Sequence, residues 1–134
     1  MKNRVMITNA NFHVDVENKV VICELKCDLQ LEKHPAWMVI NPSMWGKKFP
    51  NIGYDGEFTV RAKARCNTLD TFDETVGKRI AESRAKAKMF KIASRVWKDC
   101  AKVLYTIAAK CAITSHACTE AEHIEIDHVV ELVK

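Results

Sequence analysis

The stretch Lys19-Val-Val-Ile-Cys-Glu-Leu-Lys-Cys-Asp-Leu-Gln-Leu31 decides the fold. Val21, Cys23, Leu25, Cys27, Leu29 and Leu31 fall at every second position. From Glu24 onward the positions between them are Glu24, Lys26, Asp28 and Gln30. Strict period-two alternation describes a strand with one dry and one wet face. Upstream, Phe12, Val14 and Val16 alternate with His13 and Asp15, and Glu17-Asn18 reads as a tight turn. The two runs form a β-hairpin. A third strand follows at Glu57–Cys66, with Phe58, Val60, Ala62, Ala64 and Cys66 on one face and Thr59, Arg61, Lys63 and Arg65 on the other. Its three cations would stand about 7 Å apart on one sheet face.

Between the second and third strands, residues 33–56 hold all three prolines and three of the four glycines, together with Trp37, Trp45, Phe49 and Tyr54. This segment is expected to be a long aromatic loop, with room for a short fourth strand at Trp37–Ile40. Its rings need either the core or a ligand. Beyond Asn67, Thr71 and Glu74 stand at capping-box spacing and start a helix near Phe72. The helix is expected to reach as far as Lys110, either continuous or broken in its middle. Thr119 and Glu122 repeat the capping spacing ahead of a C-terminal helix, against which a strand at Ile124–Val130 competes. The fold class is therefore α+β. An N-terminal antiparallel sheet of three to four strands (1–66) is followed by long helices (67–134) packed on it and on a partner subunit. The 134 residues form one domain.

The formal charge of +4 conceals an uneven distribution. Residues 1–60 balance seven basic against seven acidic side chains, and residues 61–110 carry thirteen against five. Residues 111–134 carry one against five. A basic middle calls for an anionic partner, and an acidic tail can screen it. No signal-peptide pattern and no run of 18 apolar residues is present, so an intracellular location without membrane insertion is expected. The six cysteines are expected to be reduced, with Cys23 and Cys27 acting as small core hydrophobes.

Arg84, Lys88, Lys91, Arg95, Lys98 and Lys102 are spaced four, three, four, three and four apart, within about 40° of one line on a helix. The row contains no carboxylate. It is either a solvated face or an anion-binding stripe. Two apolar stripes cover much of the rest of that helix. One runs through Ser83, Ala87, Phe90, Ser94 and Trp97, and the other through Met89, Ala93, Val96 and Cys100. One can cover the sheet, and the other suits a second copy, which points to a homo-oligomer. Arg61, Lys63 and Arg65 lead directly to the helix start, where free amides and cations converge on an anion. Asp70 and Asp73 there suit hydroxyls better than a bare phosphate. Enzyme motifs are missing: no Gly-rich phosphate loop, no His-Glu-x-x-His and no Gly-x-Ser-x-Gly. His116, Cys118, Glu122, His123 and His128 match no zinc spacing. A binding protein with no metal and no cofactor is expected, rather than an enzyme.

The stretch Phe58-Thr-Val-Arg-Ala-Lys-Ala-Arg-Cys-Asn-Thr-Leu-Asp-Thr-Phe-Asp-Glu-Thr-Val-Gly-Lys-Arg-Ile-Ala-Glu-Ser-Arg84 resembles the phage Thoeris anti-defence proteins of the first type. The resemblance implies a non-enzymatic sponge for cyclic ADP-ribose isomers, in some members also for the cyclic oligonucleotides of CBASS defence. It further implies dimers or rings with ligand pockets at subunit interfaces, acting in the cytoplasm of an infected bacterium. By position in the motif it assigns Phe58 to stacking, Asn67 to hydrogen bonding and Arg84 to phosphate. Lys88 stands where the family favours a second Arg, which keeps the charge but loses the bidentate fork. Such a ligand needs cations, hydroxyl partners and an aromatic platform. Arg61, Arg65, Arg84 and Lys88 supply the first; Asn67, Asp70 and Asp73 the second; Phe58 and Trp45 the third. The alternative is a nucleic-acid-binding module with a double-stranded-RNA-binding-like fold, using Lys91, Arg95, Lys98 and Lys102 as a second basic surface.

Overall fold

Three antiparallel strands lie in sequence order: β1 (Met6–Asp15), β2 (Val20–Asp28) and β3 (Glu57–Arg65). One helix, α1 (Glu74–Leu132), follows. The computed structural model describes residues 5–38, 51–53, 55–67 and 71–134.

β2 is the central strand, and its alternation is realised side chain by side chain. Val21, Cys23, Leu25, Leu29, Leu31 and Cys27 are all buried. Burial pushes the Cys27 thiol up to about 11, because the thiolate is costly away from water. β1 meets β2 across a four-residue turn that the Asp15 carboxylate fastens by accepting from the backbone N–H and side-chain Nδ2 of Asn18 (3.0 and 2.7 Å). Those donors hold the Asp15 carboxyl below the usual carboxylate range. β1 begins at Met6, five residues before its alternation becomes legible, and carries a bulge between Ile7 and Asn9. β2 stops at Asp28, short of the Leu31 that the pattern reached. The Asp28 carboxylate accepts the Gln30 N–H at 2.8 Å, and Gln30 adopts a left-handed backbone (φ 52°). The chain leaves the sheet there as a short 3-10 turn, Leu31–Lys33.

The fourth strand expected at Trp37–Ile40 is not formed where it can be seen. Pro35–Met38 is a 3-10 turn, in keeping with a proline that fixes φ and lacks an N–H for a ladder. Residues 39 and 40 lie outside the described part, as do Trp45, Phe49 and Tyr54 of the aromatic loop. His34 stacks on Trp97 with ring centroids 4.2 Å apart.

Up to Lys98 the chain is one compact unit. Ala81, Ala85, Met89, Ala93 and Val96 form the buried face of α1 there, opposite Phe58, Val60, Ala62 and Ala64 of β3 and the dry face of β2. Small side chains at the start of that face let the helix come close. A Cβ on Gly77 would lie 2.9 Å from Cγ2 of Val21, so any larger residue must displace the buried Val21 side chain or the helix.

α1 begins two residues later than the capping box implied. Asp73, not Thr71, is the N-cap: its Oδ1 accepts the Val76 N–H at 3.2 Å, and its backbone carbonyl accepts from Gly77 at 2.9 Å. The helix has no mid-helix break, and the second start expected at Thr119 does not occur. Thr106, Thr114 and Thr119 each donate a hydroxyl to the carbonyl four residues back (3.0, 3.1 and 3.1 Å), which satisfies them inside a continuous helix. The second compact unit, Asp99–Lys134, is helical and almost wholly exposed. Tyr105, Ile113, Ile124, Leu132 and Val133 are each at least 66% exposed, which leaves much apolar surface without a cover among the described residues. Three of its acidic residues have local neighbours: Glu131 pairs with Lys134, and Glu120 and Glu125 lie 3.3 and 3.9 Å from the imidazoles of His116 and His128. No helix among the described residues is long and apolar enough to cross a membrane.

Candidate ligand cleft at the strand-to-helix junction

β3 delivers Arg65 to the sheet's end, and α1 begins at Glu74. Between them lies a cleft of about 210 Å³ lined by Ala64, Arg65, Cys66, Thr71, Phe72, Asp73, Val76, Gly77 and Ile80. Arg65 is exposed and makes no ion pair among the described residues. Cys66 leans on the Thr71 carbonyl at 3.8 Å. The cleft thus offers one guanidinium, one carboxylate and one half-buried ring, Phe72, against an aliphatic wall of Val76 and Ile80. Because the Asp73 carboxylate sits at the first-turn amides, Arg65 is the cleft's cationic group. As Asp73 is the cap, Asp73→Ala should lower stability by about 0.5–2 kcal/mol in urea denaturation.

The other expected site residues divide. Asn67 is exposed, two positions beyond Arg65, and Asp70 lies outside the described residues. Arg61 stands on the wet sheet face, where its Nε donates to the Glu24 carboxylate. That pair lines a separate shallow cleft of about 320 Å³ with Asn11, His13 and Ile22. Phe58 does not join the cleft at Arg65. It is only 6% exposed, on the dry face, and seven positions along β3 put it roughly 23 Å from Arg65. It borders a different cavity of about 580 Å³ with Thr8, Lys26 and Asn51.

Arg84 and Lys88 have a structural engagement that the sequence did not disclose. β3 is an edge strand, and α1 runs beside its free side. Arg84 Nη1 donates to the Lys63 carbonyl at 2.9 Å, and Lys88 Nζ donates to the Arg61 carbonyl at 2.7 Å. The two cations therefore occupy consecutive outward carbonyls of the edge, where a further strand would otherwise pair. Lys91, Arg95, Lys98 and Lys102 are exposed and have no ion-pair partner among the described residues.

Phe72, Val76 and Ile80 escaped the sequence reading. Their four-residue spacing was the available signal, one step around the helix from the buried Ala81 and Ala85. Among the described residues, no three His, Cys, Asp or Glu side chains are grouped so as to hold a metal ion. The chain matches no protein-family model, no curated protein and no solved structure.

Proposed function

We propose that the protein is a non-enzymatic phage anti-defence factor that captures cyclic nucleotide immune signals, cyclic ADP-ribose isomers first and cyclic oligonucleotides second. The observation that carries this reading is the meeting of Arg65, Asp73 and Phe72 in one cleft at the β3–α1 junction. A nucleotide has the three matching parts: phosphate for the guanidinium, ribose hydroxyls for the carboxylate and a ring face for the phenylalanine. Arg84, already anchored to β3, adds positive potential beside the cleft. At about 210 Å³ the cleft is smaller than the roughly 300–1,000 Å³ of complete ligand pockets. A second copy supplies the remainder, and the exposed apolar side chains of Asp99–Lys134 supply surface for that association. The protein works in the cytoplasm of the infected host, where such signals are made.

A thermal-shift titration with a cyclic ADP-ribose isomer tests this reading. A saturable, stoichiometric rise in Tm, with intact ligand recovered after heating, is the expected result. A flat titration removes the proposal, and a cleaved product replaces it with an enzyme.

The exposed, carboxylate-free row Lys91, Arg95, Lys98 and Lys102 favours a second reading, binding of RNA or DNA through the helix. On that reading Lys91→Glu plus Lys98→Glu should lower the slope of log affinity against log salt by about 2, since each phosphate contact contributes close to one. Absence of any electrophoretic shift at low salt would remove it.

A further inference from the structure

The sheet has two edges, and they are treated differently. On β3, Arg84 and Lys88 occupy outward carbonyls. On β1 nothing among the described residues bonds to the outer side. Beyond its bulge at Ile7–Asn9, β1 lacks the other guards of an open edge: Met6–Asp15 contains no Lys, Arg or Pro.

Hydrogen-bond parity shows which groups β1 leaves open. Leu29 donates to Gly56 and Cys66 donates to Lys19, so the odd-numbered residues of β2 turn their backbone groups towards β3. The even-numbered ones therefore face β1. Their partners are Asp15, His13, Asn11 and Asn9, opposite Val20, Ile22, Glu24 and Lys26. The N–H and C=O of Ala10, Phe12 and Val14 are thus left on the free edge. These three residues also stand opposite Leu25, Cys23 and Val21, so their side chains share the helix-bearing face. Phe12 remains 38% exposed there, with Lys78 5.8 Å above its ring.

The bulge-free stretch of β1 runs from Asn9 to Asp15 and has Phe12 at its centre. We propose that two copies of the chain join by antiparallel pairing of β1 with β1 about Phe12, giving one six-stranded sheet with both helices on the same face. In this register Phe12 meets the partner's Phe12, and small Ala10 meets branched Val14. On the wet face His13 meets Asn11, and Asp15 meets Asn9. Apolar opposes apolar and no like charges oppose each other, as stable cross-strand pairs require. The outward groups of residues 10, 12 and 14 form up to six new backbone hydrogen bonds about the two-fold axis. A second copy is the occupant because the stretch is complementary to itself under that rotation. This interface does not depend on the identity of any ligand.

Residue-resolved amide exchange on the full chain, with native mass spectrometry at the same concentration, tests it. The amides of Ala10, Phe12 and Val14 should exchange as slowly as those of Asn11 and His13, which bond to β2. Ala10→Pro removes only an outward N–H, a change edge strands tolerate. It should halve the subunit count and speed exchange at Phe12 and Val14 to the rate of the exposed turn at Glu17. Exchange at residues 10, 12 and 14 at that turn's rate in the unaltered protein would overturn the proposal. So would a folded Ala10→Pro protein with an unchanged subunit count. Should Ala10→Pro fail to fold, the exchange pattern of the unaltered protein decides alone.

Discussion

Arg65→Glu is expected to weaken nucleotide binding by at least about a hundredfold while leaving the fold intact. A charge-assisted hydrogen bond is worth about 1.5–3 kcal/mol, or roughly ten- to a hundredfold. Reversal adds a second carboxylate beside Asp73 in the same cleft, which repels the phosphate further. Arg65 is exposed and at the end of its strand, so the sheet does not depend on it. Arg65→Lys keeps the charge but loses the fork, and should cost about tenfold. Arg84→Ala should do less to binding than Arg65→Glu, because Arg84 already donates to the Lys63 carbonyl. Isothermal titration of the three variants gives the order directly. Unchanged affinity in Arg65→Glu would take the cleft out of the site.

Leu25→Ala is expected to have the largest effect on stability. Leu25 is fully buried at the middle of the central strand, between Ala10 on β1 and Val60 on β3. Neither small neighbour can fill the space its side chain leaves. Such truncations cost about 2–5 kcal/mol, a large part of the 5–15 kcal/mol that a domain has in total. The urea midpoint should fall accordingly, with the m-value unchanged. Lys26→Ala, one position along on the wet face, should stay within about 0.5 kcal/mol. Equal losses from the two changes would contradict the assignment of faces.

The dry faces of β2 and β3 were legible because burial obeys strand parity there. The alternating Phe12 of β1 and Val16 just beyond it are instead exposed, because no further strand among the described residues covers that edge. Every residue that the alternation placed on the dry side from Val21 to Leu31 is buried, including Leu29 and Leu31 beyond the end of β2. Helix continuity was not legible, for a chemical reason. The Thr119 hydroxyl can cap a new helix or bond back to Ser115, and the spacing to Glu122 is the same in both cases. The structure shows the second arrangement. The start of α1 was missed by two residues for a similar cause, since Asp73 and Thr71 are both good caps and only the backbone path selects between them.

The candidate site was legible in part. Arg65 and Asp73 do share a cleft, one from the end of β3 and the other from the cap of α1. Phe58 could not join them. Its parity with Val60 and Ala62 already placed it on the dry face, and the stacking role came only from the family resemblance. The engagement of Arg84 and Lys88 with β3 needed the sheet order. No local pattern reveals that a free strand edge lies beneath two helical cations more than 20 residues away.

Native mass spectrometry of the intact protein with a cyclic ADP-ribose isomer tests the central claim most directly. Nucleotide capture predicts an assembly of more than one subunit that gains the mass of whole ligand in saturable steps, and releases that mass unchanged on heating. A spectrum with no bound mass at saturating ligand, or one showing only cleavage products, would contradict it.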